Sequence, residues 1–398
     1  MGANAGSVSG TLTHGRVGVP TTHPQTKLIV GQVLYEILRI EIDKEIGIKQ
    51  LIGISLFSGA GGLDLGATKA GLKIRQCIEF DPDSCETLRI NHQFSNVEIL
   101  EEDIREVDFT AQKEKLPSKG IDKRIVIGGP PCQPFSKNSY WVKNENRNVD
   151  KDPRNLISEF IRCVDEIEAD AFILENVESI KHPTNKHMVD YIMAAGESMN
   201  YGVSYFTLNA ADYGVPQKRK RVFFVGIKNS KPITEIPLKT HTSANSKDLF
   251  SNLPTHLGVG EFIKPFEGDE FFESQENASN GTYFEELKNV PPGNNYMALS
   301  KLQNYQGRTF KSGSRFWNFL FKLHTENPSI TIAAQPGPWV GPFHWTNRRL
   351  RVPEIAAIQT FPIDYKFYGN RRSVQKQIGN AVPSLLGHHV TNFLMERL

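Results

Sequence analysis

The chain has 398 residues, of which 39% are hydrophobic and 10% aromatic, and its formal net charge is +2 at pH 7. This composition is typical of a globular protein with room for two domains of roughly 150 residues each. No apolar run approaches the roughly 18 residues of a membrane helix, no charged start with an apolar core marks a secretory signal, and the net charge alone indicates no nucleic-acid partner.

The N-terminal part, residues 1–50, is predicted to be an extension outside the main fold. Up to about residue 26 it is rich in Gly, Ser and Thr, which is typical of a disordered segment. Apolar positions then recur between residues 28 and 48 and predict an amphipathic helix. The sequence assigns no function to this helix.

Strand and helix patterns alternate through residues 51–228. Apolar, β-branched runs predict strands at 53–57, 73–80, 97–100, 125–127, 171–175, 201–208 and 221–227. Helical patterns lie between them at 62–70, 82–91, 155–168 and 187–199. The alternation predicts an α/β fold with a doubly wound, mostly parallel sheet, and the last two strands are expected to form a hairpin at its edge.

The remainder of the chain has a different character. Residues 229–345 hold clusters of Pro, Gly and Asn without a sustained period, which indicates a smaller, irregular second domain. Residues 346–398 contain helical patterns at 352–365 and 374–394 and are expected to return to the first domain.

Charge is distributed unevenly along the sequence. Residues 214–240 and 345–372 are basic, whereas residues 260–286 are acidic apart from Lys264. The basic stretches suit contacts with phosphates, and the acidic stretch is expected to face away from a polyanion. A patchwork of solvated surface charge would explain the same pattern.

The most informative segment is residues 125–136. An apolar run there ends abruptly in two glycines and two prolines (residues 128–131), which force a rigid loop. Cys132 is therefore presented beyond the carboxyl end of a buried strand, where open α/β sheets bind ligands. A lone cysteine is more often a small buried hydrophobe, but a core position needs no prolines on both sides. Cys132 is the candidate nucleophile.

The chain has four cysteines, at Cys77, Cys85, Cys132 and Cys163. Their positions match neither a zinc site nor a disulfide framework. We therefore expect no metal, and we expect a reducing compartment, the cytoplasm.

A glycine-rich loop follows the first predicted strand. Gly59, Gly61 and Gly62 allow close approach to a ligand and leave N–H groups free at a helix start. A dinucleotide fingerprint would need glycine where Asp64 stands, which disfavours a nicotinamide-dependent oxidoreductase. An acidic pocket without phosphate contacts better suits a ligand with a cationic centre, such as S-adenosylmethionine.

Five segments resemble the signature blocks of the DNA cytosine-5 methyltransferases, and they occur in that family's order. These segments are residues 56–62, 130–136, 175–177, 217–221 and 377–383. The resemblance covers the chain from about residue 51 to the C-terminus, apart from residues 228–330. It implies a Rossmann-like fold, transfer of a methyl group from S-adenosylmethionine to carbon 5 of cytosine, and a target-recognition domain at 229–345. The compact length favours the bacterial restriction-modification type.

The resemblance also implies roles for individual residues. Cys132 would add to carbon 6 of the base, and Glu175, with its pKa raised by burial, would share a proton with ring nitrogen 3. Arg221, and secondarily Arg219, would contact the exocyclic oxygen and the catalytic groups. Asn176 is expected to brace the loop. The implied cofactor contacts are Phe57, Gly59, Gly61, Gly62, Glu79, Phe80, Asp103, Ile104, Pro131, Leu156 and Asn380.

Attack on carbon 6 requires a base that is extruded from the duplex. Residues 137–154 are polar and are predicted to close over the flipped base. The DNA contacts expected from the resemblance and the charge pattern are Ser136, Gln217, Arg348, Arg349 and Arg351. The implied partners are double-stranded DNA and, functionally, a restriction endonuclease of the same specificity, and we expect a monomer.

Two alternatives remain open on the sequence. A tRNA cytosine-5 methyltransferase would share the fold, and a catalytically silent DNA-binding module would share the charge pattern. A cysteine hydrolase is disfavoured because no His falls within a matching block.

Overall fold

The computed structural model describes residues 50–117, 122–131, 156–244, 252–310 and 316–398. The predictions for the N-terminal extension, for Cys132 and Ser136, and for the closing segment 137–154 therefore lie outside the described residues.

A seven-stranded sheet is the framework of the molecule. Its strands are apolar, β-branched or aromatic runs that end at glycine, proline or polar residues, as the sequence predicts. The strands are β1 (Leu51–Leu56), β2 (Lys73–Glu79), β3 (Glu98–Glu101), β4 (Lys123–Gly128), β5 (Ala171–Val177), β6 (Tyr201–Asn209) and β7 (Lys220–Lys228).

The strand order is β3-β2-β1-β4-β5-β7-β6. Strands β1 to β5 pair in parallel, whereas β7 is antiparallel to both β5 and β6. The order reverses between β1 and β4, which is the point where doubly wound sheets bind ligands. Because β7 runs the other way, its amino end lies at the same edge as the carboxyl end of β5.

Helices connect the strands and pack on the two faces of the sheet. The helices within the sheet region are α1 (Gly62–Ala70), α2 (Pro82–Arg89), α3 (Phe109–Lys115), α4 (Ile157–Glu166) and α5 (Lys186–Ser198). One buried cluster on each face holds these layers together. The predicted doubly wound α/β class and the closing hairpin are confirmed.

Residues 229–345, the predicted target-recognition domain and called the recognition region below, contain only short helices among those that the structure describes. They include α6 (Gly260–Ile263) and α7 (Phe284–Asn289). A third, small apolar cluster lies within this region and is formed by Leu287, Val290, Tyr296, Leu299, Leu320 and Phe343. By their contacts residues 50–398 form one unit, and the predicted division at residues 228 and 345 stays a prediction.

The C-terminal segment forms three helices rather than the two predicted. These are α8 (Val352–Ile358), α9 (Arg371–Asn380) and α10 (Ser384–Met395). The first ends early because Thr360 adopts a φ of 59°, outside the right-handed helical region, and Pro362 follows. Pro383 has no N–H to donate and separates α9 from α10. Within the described residues no helix is both long and apolar enough to cross a membrane.

Candidate active site and cofactor pocket

Glu175 and Arg221 meet at the ligand-binding edge of the sheet. Glu175 stands near the carboxyl end of β5, and Arg221 is the second residue of β7. Arg221 Nε lies 2.7 Å from Glu175 Oε1, and the two side chains are only 13% and 11% exposed. A charged guanidinium thus holds a nearly buried carboxyl group in a fixed orientation.

Burial decides the protonation of Glu175. Removal from water raises its pKa above the ordinary value, although the charges of Arg221 and Arg219 act in the opposite direction. The predicted increase in the pKa of Glu175 is therefore confirmed. A carboxyl group in this state can hold a proton for a ring nitrogen and release it again.

The loop that leads to Cys132 runs directly against this carboxyl group. A Cβ atom at Gly129 would lie 2.9 Å from Glu175 Oε2, so only glycine fits without displacement. Asn176 Nδ2 donates to the carbonyl of Pro130 over 3.4 Å, which confirms that Asn176 braces the loop. Pro131 follows and is exposed, and the next residue is Cys132.

The glycine loop after β1 has an open side and a packed side. Phe57, Gly59 and Gly61 have φ values of 55°, 54° and 78°, a region that a side chain such as that of Phe57 enters only at a cost. A Cβ atom built on Gly59 meets nothing within 4 Å, whereas one on Gly61 would collide with Phe94 and one on Gly62 with the carbonyl of Val382. Gly59 therefore faces a space that a ligand can fill.

Glu79 and Phe80 stand beside this space at the end of β2. Glu79 accepts hydrogen bonds from the backbone N–H groups of Gly59, Phe80 and Asp81 at 2.7–2.9 Å. A carboxylate can accept about four, so one acceptor position remains for a hydroxyl group. Burial raises the pKa of Glu79. The Phe80 ring is 69% exposed and offers a flat face.

The other predicted cofactor contacts lie around the same edge. The Glu102 N–H donates to the Glu79 carbonyl, which brings Asp103 beside β2, and the Arg105 side chain binds the Asp103 carboxylate and lowers its pKa. Ile104 is buried, Phe57 and Leu156 pack against one sheet-face cluster, and Asn380 is exposed at the end of α9. An acidic, partly aromatic pocket with a glycine backbone fits S-adenosylmethionine.

The model of the family "C-5 cytosine-specific DNA methylase" matches residues 51–396. The chain belongs to this family. It is therefore a DNA cytosine-5 methyltransferase, and its methyl donor is S-adenosylmethionine. This membership excludes the nicotinamide-dependent oxidoreductase and the cysteine hydrolase.

Individual proteins show the same relationship. The type II methyltransferase M.SacI of Streptomyces achromogenes is 37% identical over 87% of this chain and 93% of its own length. The type II methyltransferase M1.HphI of Haemophilus parahaemolyticus is 32% identical over 86% of each. Among solved structures, the S. pombe Dnmt2 methyltransferase superposes with a TM-score of 0.59 at 14% identity, covering 87% of this chain and 99% of that chain. That last likeness concerns the fold alone.

In this methyltransferase the surroundings of Arg219 differ from those of Arg221. Its side chain is 1% exposed, and its guanidinium donates to the carbonyls of Ile332 at 3.2 Å and Gly379 at 2.8 Å. Arg219 thus acts on Glu175 by its charge, while its hydrogen bonds join backbone segments. Gln217, predicted to bind DNA, is likewise fully buried and bonds to Gln359. A direct DNA contact from Gln217 is incompatible with this placement.

Two of the three arginines predicted to bind DNA are used internally. Arg351 is 4% exposed and forms an ion pair with Glu276. Arg348 Nη2 lies 2.6 Å from an oxygen of the buried Glu354. The DNA-binding prediction is therefore wrong for Arg351 in this arrangement, and Arg348 is mainly a partner of Glu354. Arg349 is partly buried, and its role in DNA binding stays a prediction.

The acidic stretch forms ion pairs with the second basic stretch, which the sequence did not predict. Glu276 binds Arg351, and Glu273 Oε2 lies 3.2 Å from Arg371 Nε. An acidic run and a basic run in one chain predict such ion pairs only when the distance between them in space is known. That the acidic stretch faces away from a polyanion stays a prediction. Among the described residues no cluster of acidic, His and Cys side chains could hold a metal ion.

Proposed function

We propose that the protein methylates carbon 5 of a flipped cytosine within a specific sequence of duplex DNA, through a transient covalent bond from Cys132 to carbon 6. We further propose that it protects that sequence from a restriction endonuclease of the same specificity, as the type II names of its relatives suggest. The monomeric state and a cytoplasmic location remain part of the prediction.

The observation that carries the proposal is the Glu175–Arg221 ion pair against the loop that leads to Cys132. The three described cysteines support the same choice of nucleophile. They are buried, and burial raises the thiol pKa of Cys77 and Cys163 far above its ordinary value and that of Cys85 to about 12. A buried thiol with a raised pKa provides almost no thiolate at neutral pH.

The chemistry follows from the electron demand of cytosine. As the Cys132 sulfur bonds to carbon 6, the 5,6 double-bond electrons move to carbon 5, and Glu175 shares its proton with ring nitrogen 3. S-adenosylmethionine supplies an electrophilic methyl group when bound. After carbon 5 has gained that methyl group, the hydrogen on carbon 5 leaves as a proton to solvent. Its bonding electrons re-form the 5,6 double bond, the Cys132 sulfur leaves carbon 6 as a thiolate, and the aromatic ring is restored. Nucleophilic catalysis thus replaces one difficult step by easier ones.

A mechanism-based trap tests the proposal. The purified protein would be incubated with labelled S-adenosylmethionine and either duplex DNA or tRNA, and bisulfite sequencing of DNA from expressing cells would identify the methylated sequence. A duplex carrying 5-fluorocytosine at that position is expected to form a covalent complex at residue 132, because fluorine cannot leave as a proton does.

Cys132→Ala is expected to abolish methyl transfer while DNA binding stays measurable, and Lys231→Gln serves as a surface control. Methyl incorporation into tRNA rather than duplex DNA would contradict the substrate assignment. Retained turnover in Cys132→Ala would contradict the covalent mechanism, and DNA binding without any turnover in the wild type would indicate a silent DNA-binding module.

A further inference from the structure

Three buried polar side chains, Gln217, Arg219 and Gln359, form a cluster behind the catalytic ion pair. Their exposed fractions are 0%, 1% and 0%. Gln217 Nε2 donates to Gln359 Oε1 over 2.8 Å. Buried polar groups require partners, and this polar cluster finds most of its partners in the backbones of two distant segments.

The first of these segments, residues 329–332, lies inside the recognition region. Gln217 Oε1 accepts from the N–H of Ile332 at 3.0 Å, and Arg219 Nη1 donates to the carbonyl of the same residue at 3.2 Å. The Lys218 N–H also donates to the Ser329 carbonyl at 2.8 Å. The segment between β6 and β7 therefore binds residues 329–332 through a backbone N–H group and two backbone carbonyls.

The second segment is the turn at the end of α9, which carries the cofactor-side residue Asn380. Arg219 Nη2 donates to the Gly379 carbonyl at 2.8 Å, and Gln359 Nε2 donates to the Ile378 carbonyl at 2.6 Å. The same turn continues to Val382, whose carbonyl lies against Gly62 of the cofactor loop. A shift of this turn would therefore change the cofactor pocket.

The cluster also adjoins the catalytic pair. Arg219 immediately precedes β7, two residues before Arg221, and the positive charge of Arg219 acts on Glu175. Arg219 Nε is buried and has no hydrogen-bond acceptor among the described residues. An arrangement that supplied this acceptor would recover the free energy that an unmade buried hydrogen bond costs. Ligand binding that supplied such an acceptor would therefore stabilise a second arrangement of the Arg219 guanidinium.

We propose that Arg219 is a positioning residue that couples DNA recognition to cofactor binding, by holding residue 332 of the recognition region and the cofactor-side turn with one guanidinium. This inference rests on the proposed function. It gives Arg219 a role distinct from that of Arg221, which pairs with Glu175 and is predicted to contact the base. Such coupling is a free energy shared by two sites and must appear equally in both affinities.

The test is a binding cycle with S-adenosylhomocysteine as the probe. Its Kd would be measured by calorimetry for the full chain, alone and with the duplex that contains the methylated sequence. We expect the duplex to tighten binding about tenfold in the wild type, within the usual range of coupling. In Arg219→Lys the tightening is expected to vanish, because one ammonium cannot span the Ile332 and Gly379 carbonyls as a planar guanidinium does.

The coupling is the ratio of the probe's Kd without and with the duplex, so it is measured independently of any change that Arg219→Lys causes in binding without DNA. A general loss of structure would instead abolish binding in both cases. The matched control is Arg397→Lys, a partly exposed arginine after α10 whose guanidinium lies over the Phe393 ring, and it should keep the full tightening. If Arg219→Lys is recovered unfolded, Gln359→Met removes the Gln217 and Ile378 links and should weaken the tightening.

Full tightening in either folded variant, or none in the wild type, would overturn the inference. The proposed function is judged separately by methyl transfer from the wild type to duplex DNA. A wild type that methylates DNA while Arg219→Lys keeps its coupling would refute only the role of Arg219.

Discussion

Glu175 carries two opposing influences, a low-dielectric environment and the charge of Arg221. The first favours the neutral acid and raises the pKa of Glu175, and the second favours the carboxylate and lowers it. Such a balance suits a group that must share a proton during sulfur attack and recover it afterwards.

Glu175→Gln should lower the rate of methyl transfer by about 100-fold or more, because an amide can donate a hydrogen bond but cannot exchange a proton on this timescale. Single-turnover incorporation from labelled S-adenosylmethionine would measure the effect, and the Kd for S-adenosylhomocysteine should stay the same. Glu178→Gln, three residues further on and more exposed, is the control. Equal rates in the wild type and Glu175→Gln would remove the carboxyl group from the mechanism.

Asp64 is a second buried acid, in the first turn of α1. It is fully buried, burial raises its pKa to about 6, and its Oδ2 has no partner among the described residues. The unfolded chain releases this proton near pH 4, whereas the folded protein keeps it until about pH 6. The free energy of unfolding therefore falls as pH rises through this window, by about 3 kcal/mol in total.

Asp64→Asn should abolish this pH dependence, since an amide does not titrate. Thermal unfolding at pH 4 and pH 8 would show a variant that gains stability relative to the wild type at the higher pH. Asp190→Asn, at an exposed ion pair with Lys186, should show no such difference. A parallel pH response of wild type and Asp64→Asn would contradict the assignment.

At the residue scale the sequence correctly predicted the placement of Glu175 because an apolar run ends just before it. It could not separate Arg219 from Arg221. Both are arginines, one just before β7 and one at its second residue, and Arg219 is bound by two carbonyls more than a hundred residues away in sequence, on Ile332 and Gly379.

Among the secondary-structure elements, α8 is one whose first backbone N–H groups are bound partly by a side chain from outside the helix. Its N-cap position is Arg351, whose side chain has no acceptor to offer to the first N–H groups. Glu354 Oε2 accepts from the Arg351 N–H, and Glu273 Oε1 accepts from the Val352 N–H at 2.7 Å. Carboxylates also interact favourably with the positive end of a helix. The acidic stretch is thus part of the helix start.

The ion pair of Glu276 and Arg351 should couple strongly in unfolding. Replacing one partner leaves a buried charge uncompensated and should cost about 3–5 kcal/mol, whereas the double variant Glu276→Met with Arg351→Met should cost much less than the sum. Urea unfolding of the four proteins would measure this cycle, with Glu285→Gln as an exposed control. Additive losses would show that the two side chains stabilise the fold independently.

Element bounds were largely predictable from local chemistry. The period-two and helical patterns place all seven strands and four of the first five helices to within a few residues, whereas α3 was not predicted. The pairing of Glu276 with Arg351 was not predictable, because no local pattern relates two residues 75 positions apart.

At the scale of the whole molecule, Gln217 forms an internal hydrogen bond and Arg351 an internal ion pair. We therefore expect other residues to contact the DNA. Lys218 and Lys220 are exposed beside the catalytic pair, on either side of the buried Arg219. Lys218 and Arg219 precede β7, and the two lysines are exposed although the arginine between them is buried. We expect these two lysines to meet phosphates.

Duplex affinity should fall steeply with salt, and Lys218→Gln or Lys220→Gln should each reduce the slope of log K against log salt by about 1. Arg351→Met should leave that slope unchanged. Lys231→Gln is the matched control, because Lys231 follows β7 at the opposite edge of the sheet and is exposed. A slope that changes with Lys231 but not with Lys218 or Lys220 would place the DNA on another face.

The recognition region was the least predictable part of the whole molecule. Its small core is held by aromatic pairs such as Tyr283 with Phe319, at a centroid distance of 5.3 Å, and Tyr296 with Phe319, at 5.5 Å. These rings come from separate short segments and follow no helical or strand period. Only their assembly in three dimensions reveals that they form a core.

The helices α1 and α10, near the two ends of the sheet-bearing unit, meet at almost backbone-to-backbone distance. A Cβ atom on Gly66 would lie 2.2 Å from the Ser384 carbonyl, and one on Gly62 would lie 2.3 Å from that of Val382. The wall of the donor loop is thus supplied by a segment about 320 residues further along the chain than the loop itself. A chain that lacked residues 382–384 would leave this side of the loop uncovered, so the loop is complete only after the C-terminal segment has packed against α1.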